Sequence, residues 1–222
     1  TLRHNVTRRT TFLLIASFLL ATTGCSFGPK VWVAKELDLT VAAEKAEVLD
    51  VKTHNGQVKV KANSSLSEVK IHIKKEGGGE SQEHAQRVLD AIEPFAETAG
   101  KTIRVGWKWK NKKRLGHSRV AFTIEAPPEL ATRLKTHNGR IIVEGMLGSL
   151  KAKSHNGGIV ASGFEDAVDL ETHNGGIKVS DGSTHKVRLD THNGSITARR
   201  TATEPLNGTV STHNGGIWVG AN

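Results

Sequence analysis

The chain has one cysteine in 222 residues, Cys25, so no disulfide can form within it. Its stability must come from packing and backbone pairing, even at an oxidising destination. Long apolar runs are also scarce: the sustained one, Phe12 to Ala21, is too short to cross a bilayer. Paired catalytic groups are missing too. Asp166, Asp169, Asp181 and Asp190 are scattered acids without a matched partner. Ser154 has a histidine beside it, but adjacent strand residues point to opposite faces and cannot act as nucleophile and base. What remains is an ordinary globular composition, 36% hydrophobic and 24% charged, with a formal charge of +9.

Part of that charge belongs to the first ten residues, which hold Arg3, Arg8 and Arg9 and no acid; without them the balance is 28 basic to 22 acidic, or +6. A basic stretch, the apolar run, and the small residues Thr22, Thr23 and Gly24 predict an export signal over residues 1–24. Thr-Thr-Gly-Cys at positions 22–25 resembles the lipobox of bacterial lipoproteins, with Thr22 standing where that family usually has Leu. The resemblance implies cleavage that makes Cys25 the new N-terminus and several acyl chains carried there, and more than one acyl chain makes a stable anchor. The expected location is the cell envelope, on the outer membrane or its periplasmic face in a Gram-negative host. Residues 25–30 then form a short tether that keeps a domain at 31–222 close to its membrane.

Within that domain one phrase recurs. Thr-His-Asn-Gly stands at 53–56, 136–139, 172–175, 191–194 and 212–215, and Ser-His-Asn-Gly at 154–157. The histidine-to-histidine steps are 83, 18, 18, 19 and 21 residues, so the last five copies form an array. Apolar residues alternate on both arms of each copy, as in Leu170 to Val179, which predicts two short strands around a corner. Asn-Gly between such strands is also a hairpin signal. A hairpin, however, has no use for the same Thr and His at every turn, whereas a stack of equivalent rungs does. The expected fold is therefore mainly β, a solenoid of 18–21-residue rungs over 131–222, with a meander of hairpins as the alternative.

Residues 63–130 read as an insertion: a strand with Val69, Ile71 and Ile73 on one face, ended by Gly77 to Gly79; a helix from Ser81 to Ile92; a strand from Thr102 to Lys110; and a strand from Val120 to Ala126 closed by Pro127-Pro128. Ile-Glu-Ala-Pro-Pro at 124–128 and the following Leu-Lys-Thr-His-Asn-Gly-Arg-Ile resemble the bacterial putative-adhesin family of unknown function, also called toastrack domains. That resemblance covers residues 31–222. It implies a right-handed β-solenoid in an envelope protein and no enzymatic residues to carry over.

Three surfaces are candidates for chemistry. Asn55, Asn138, Asn156, Asn174, Asn193 and Asn214 would stack at a corner as a hydrogen-bonded amide ladder. His54, His137, His155, His173, His192 and His213 would face outward beside it, as a structural stack, a pH-responsive row or a metal-binding one. Trp107, Lys108, Trp109, Lys110, Lys112, Lys113 and Arg114 form a basic, Trp-containing stretch suited to anionic lipid headgroups or envelope glycans; export argues against nucleic acid. A non-enzymatic scaffold or adhesion surface without a cofactor is the first reading. A metal- or glycan-binding module is the second, and a glycan-active enzyme the third.

Overall fold

The structure, a computed structural model, describes residues 7–9, 28–110, 114–183, 186–200 and 207–221. The first part contains β1 (Thr7–Arg9), β2 (Val31–Ala42), β3 (Val48–Lys52), β4 (Val58–Ala62), β5 (Glu68–Gly79), α1 (Gln82–Ala91), β6 (Ile92–Ala99), β7 (Thr102–Trp109) and β8 (His117–Ala126). The repeat region contains β9 (Ala131–Lys135), β10 (Ile141–Glu144), β11 (Leu150–Ser154), β12 (Ile159–Ser162), β13 (Val168–Asn174), β14 (Ile177–Gly182), β15 (Lys186–Asn193), β16 (Ile196–Arg200), β17 (Asn207–Asn214) and β18 (Ile217–Ala221). They build two open sheets, ordered β1-β2-β5-β8-β4-β10-β12-β14-β16-β18 and β17-β15-β13-β11-β9-β3-β7-β6.

In every copy of the phrase the two arms fall in different sheets, as β13 and β14 do, and each arm pairs in parallel with the same arm of the next copy. Register is kept along two inward columns, Ile141, Ile159, Ile177, Ile196 and Ile217 in one and Leu134, Ala152, Leu170, Leu189 and Val210 in the other, and shifts between β14 and β16 only past Val179. Period-two alternation points these columns inward, where most of them are buried between the sheets. The hairpin alternative fails on this pairing, since hairpin arms pair antiparallel with each other. Backbone angles agree. Among the described residues, positive φ at the repeats' corners occurs at Gly145 (74°), Gly163 (65°) and Asp181 (55°), on the corner opposite the phrase, and not at the Asn-Gly of the last five copies.

Residues 63–130 are woven into both sheets. β7 lies parallel beside β3 and β8 parallel beside β4, while β5 runs antiparallel between β2 and β8, and β6 antiparallel to β7. The sequence reading ended the strand at Gly77, but β5 continues through Gly79. These glycines are what lets α1 lie against it: a Cβ on Gly77 would stand 2.4 Å from the Leu89 amide nitrogen, and one on Gly79 would stand 2.7 Å from that of Ala85. Ser81 caps the helix, its side chain accepting from the His84 N–H. Pro94 sits in β6, at a sheet edge where its missing donor costs nothing.

The other end of α1 is closed from β5. The buried Lys75 ammonium donates to the carbonyls of Leu89 and Ile92 at 3.0 and 2.9 Å, taking up acceptors that a helix C-terminus leaves free. Burial, with the Lys35 charge nearby, lowers the Lys75 pKa to about 8.

Candidate functional site

The repeated phrase forms one corner of the stack, and three of its four residues bond layer to layer. The threonine side chain points inward. Thr172, Thr191 and Thr212 donate to the carbonyls of Gly157, Gly175 and Gly194 in the preceding layer at 2.8 to 2.9 Å. Ser154, the one substitution, keeps the bond, donating to the Gly139 carbonyl at 3.1 Å. In the first layer Thr53 donates to the Val120 carbonyl at 2.8 Å. A hydroxyl is thus required at this position, and a buried one must be satisfied.

Each asparagine amide donates to the amide oxygen below it: Asn214 to Asn193, Asn193 to Asn174, Asn174 to Asn156, Asn156 to Asn138 and Asn138 to Asn55, all at 2.7 or 2.8 Å. Asn55 ends the column by donating to the Ser118 carbonyl at 3.1 Å. The glycine is required by space. A Cβ on Gly157 would lie 2.0 Å from the Gly139 carbonyl oxygen, and one on Gly194 2.2 Å from that of Gly175.

The histidines point outward and are exposed. Their rings stack along the corner with centroids 4.7 to 4.9 Å apart and planes within 6° of parallel, from His54 through His213. That spacing is the strand spacing of a sheet. Burial, then the neighbouring His137 and Arg114 charges, lowers the pKa of His54.

Two residues before each histidine, on the same outward side, stands a column the sequence reading did not single out: Lys52, Lys135, Lys153, Glu171, Asp190 and Ser211. Its charge changes sign along the stack, and taking the residue at the same offset from each copy would have revealed it. Over the last four layers the histidines, Glu171, Asp190 and Ser211 of this column, and the serine and threonines of the phrase line an open groove of about 460 Å³.

The outer face of β11, β13 and β15 is tied by ion pairs, Lys151 to Asp169 at 2.8 Å, Arg188 to Asp169 at 3.0 Å, Arg188 to Asp190 at 3.3 Å, and Lys153 to Glu171. Burial alone would raise the Asp169 pKa, but hydrogen bonds and charge from Lys151 and Arg188 outweigh it and hold the carboxyl below its ordinary value. Among the described residues no three His, Cys, Asp or Glu side chains are already placed around one point as a metal site.

The basic stretch is arranged differently from its linear appearance. Trp107 and Trp109 are half-buried against the core, edge to face at 5.3 Å, because they continue the inward face of Ile103 and Val105. Lys108 pairs with Glu93 at 3.5 Å and the Arg114 side chain donates to the Gly116 carbonyl at 3.2 Å. Lys112, Lys113 and Cys25 lie outside the described residues. The exposed cation–aromatic pair nearby is Arg119 over Trp32, 4.1 Å from the ring centre.

No protein-family profile matches the sequence, and no curated protein does. Among solved structures, the chain is similar to a putative cell adhesion protein from Clostridium sporogenes ATCC 15579, with a TM-score of 0.51 and 12% identity over 85% of this chain and 97% of that one. The two share a fold. A putative adhesin from Bacteroides fragilis NCTC 9343 is similar at a TM-score of 0.37 and 11% identity over 85% of this chain and 96% of that one. Both likenesses span nearly the whole length of the proteins compared.

Proposed function

We propose that the chain is a non-enzymatic lipoprotein of the bacterial cell envelope, anchored through Cys25, whose right-handed β-solenoid acts as a scaffold and adhesion surface. The observation that carries this reading is how the corner uses its residues. Threonine, asparagine and glycine are consumed in bonding one layer to the next, which builds a long, regular outer surface rather than an enclosed pocket with opposed acids. The fold shared with a putative cell adhesion protein supports the same role.

Orientation follows from the tether. Pro29, four positions beyond the lipid site, packs where a Cβ on Gly78 would lie, and a Cβ on Gly116 would approach the Gly78 carbonyl at 3.0 Å. Arg114, bonded to the Gly116 carbonyl, therefore lies at the tethered end of the domain, which suits the basic stretch to anionic headgroups or envelope glycans. Cleavage before Cys25 also removes β1, leaving β2 as the sheet edge.

The test is expression in a lipoprotein-processing bacterium with Cys25 intact or replaced by Ser. The intact protein should partition into detergent and carry acyl mass at residue 25, and C25S should be released; identical partitioning of the two rejects the anchor. Glycan-array and pulldown binding by the mature domain tests the adhesion role, and turnover of any glycan offered would replace it with an enzymatic one.

A further inference from the structure

The six stacked histidines are chemically alike, but their surroundings are not. His54, His137 and His155 stand beside Lys52, Lys135 and Lys153, whereas His173 and His192 stand beside Glu171 and Asp190. No hydrogen bond from another described residue engages the ring nitrogens of these six histidines. By contrast, His72 and His84, elsewhere on the surface, are bonded to Asp38 and to the Leu115 carbonyl. Thr, Asn and Gly of the phrase are accounted for by interlayer bonding, and the imidazoles are what the architecture leaves over.

We propose that the His173–His192 pair, with Glu171 and Asp190, binds one divalent transition-metal ion of the zinc or copper class on the outside of the stack. Imidazole nitrogen suits these ions and not calcium or magnesium, which take oxygen ligands. The two rings stand 4.7 Å apart and 4° from parallel. Two nitrogens on one tetrahedral zinc lie roughly 3.3 Å apart, given bonds of about 2.0–2.1 Å. Each ring must therefore turn inward about its side-chain torsions, and the open groove on this face leaves room for it.

The carboxylates are available in part. Arg188 approaches Oδ2 of Asp190 at 3.3 Å and Oε2 of Glu171 at 3.9 Å, and Lys153 pairs with that same Oε2, so the ion pairs draw on one oxygen of each carboxylate and leave Oδ1 and Oε1 for the metal. The same reasoning disfavours the first three layers, where a lysine beside each imidazole repels a cation. Two nitrogens and one or two oxygens leave the ion an open position toward solvent, which is where a ligand on another molecule would attach. This site is independent of the lipid anchor and of the adhesion reading.

The experiment uses the mature chain, with zinc binding followed by calorimetry and copper binding by electron paramagnetic resonance. The expected result is one zinc equivalent bound at micromolar or tighter affinity, and a copper spectrum with coupling to two nitrogens. H173A/H192A should weaken zinc binding at least tenfold, E171Q/D190N should weaken it less, and H54A/H137A should leave it unchanged, with circular dichroism confirming that each variant is folded. Binding weaker than millimolar, or equal loss in H54A/H137A, overturns the assignment.

Discussion

Replacing Gly157 by Ala tests why glycine recurs in the phrase. The new Cβ would be 2.0 Å from the Gly139 carbonyl oxygen, 2.6 Å from its carbon and 3.1 Å from Ser154 Oγ. An ordinary carbon–oxygen contact is about 3.2 Å or more, so two adjacent layers must part by roughly 1 Å at this corner. That separation stretches the Asn156 N–H bond to the His137 carbonyl, now 2.7 Å, and the Asn156 amide bond to Asn138, also 2.7 Å. Overpacking costs about 1–3 kcal/mol and each weakened hydrogen bond about 1 kcal/mol, which gives roughly 3–5 kcal/mol in all.

Gly216 supplies an internal control: a Cβ there meets nothing within 4 Å and its φ is not in the left-handed region. Gly216→Ala should then be neutral or stabilising by up to about 1 kcal/mol, since it restricts only the unfolded chain. Equilibrium urea unfolding by circular dichroism, with the m-value checked for change, measures both. A cost under about 1 kcal/mol for Gly157→Ala, or equal effects at the two sites, would refute the steric account.

The amide ladder makes a graded prediction: Asn156→Ala loses two side-chain bonds and should cost about 1–3 kcal/mol, while Asn214→Ala loses one and should cost about half as much. Thr172→Val keeps shape but strands the Gly157 carbonyl, for an expected loss of about 1–2 kcal/mol in the same assay. His54 has a folded pKa below its unfolded value of 6.5, so its contribution is complete above that pH and is lost as pH falls through the folded value. Melting temperature should drop more between pH 7.5 and pH 5 in the native protein than in His54→Gln. Lys75, at about 8 when folded and 10.5 when not, gains stability for the fold as pH rises between those values. Lys75→Met should flatten that rise in pH-dependent unfolding, and an unchanged slope would show that the ammonium is not held as described.

Alternation and the repeated phrase made the two-sheet stack legible, because each inward column is written in the sequence as Ile/Val or Leu/Ala at fixed offsets. Ser81 as the N-cap and the helical spacing of Ala85, Val88 and Leu89 likewise located the helix. What the sequence concealed was set by contacts between distant segments. Gly77 to Gly79 read as a terminator, since three glycines weaken a strand, yet the helix needs that bare backbone to approach. By contrast, alternation alone puts Trp107 and Trp109 on the face of Ile103 and Val105, and the structure keeps them there, half-buried, with Lys108 facing out. The change from lysine to carboxylate beside the histidines spans layers about twenty residues apart, so no local window displays it.

The asparagine column has a direction. A carbonyl can only accept, so Ser118 obliges the Asn55 amide to present its nitrogen downward and its oxygen upward. That oxygen fixes Asn138, which fixes Asn156, and so on to Asn214. One flipped amide would set oxygen against oxygen on one side and nitrogen against nitrogen on the other, so the six orientations are chosen together. The aligned side-chain dipoles add along the corner, with their negative pole at the Asn214 oxygen. A single backbone carbonyl from the woven-in segment thereby sets the electrical polarity of the entire edge.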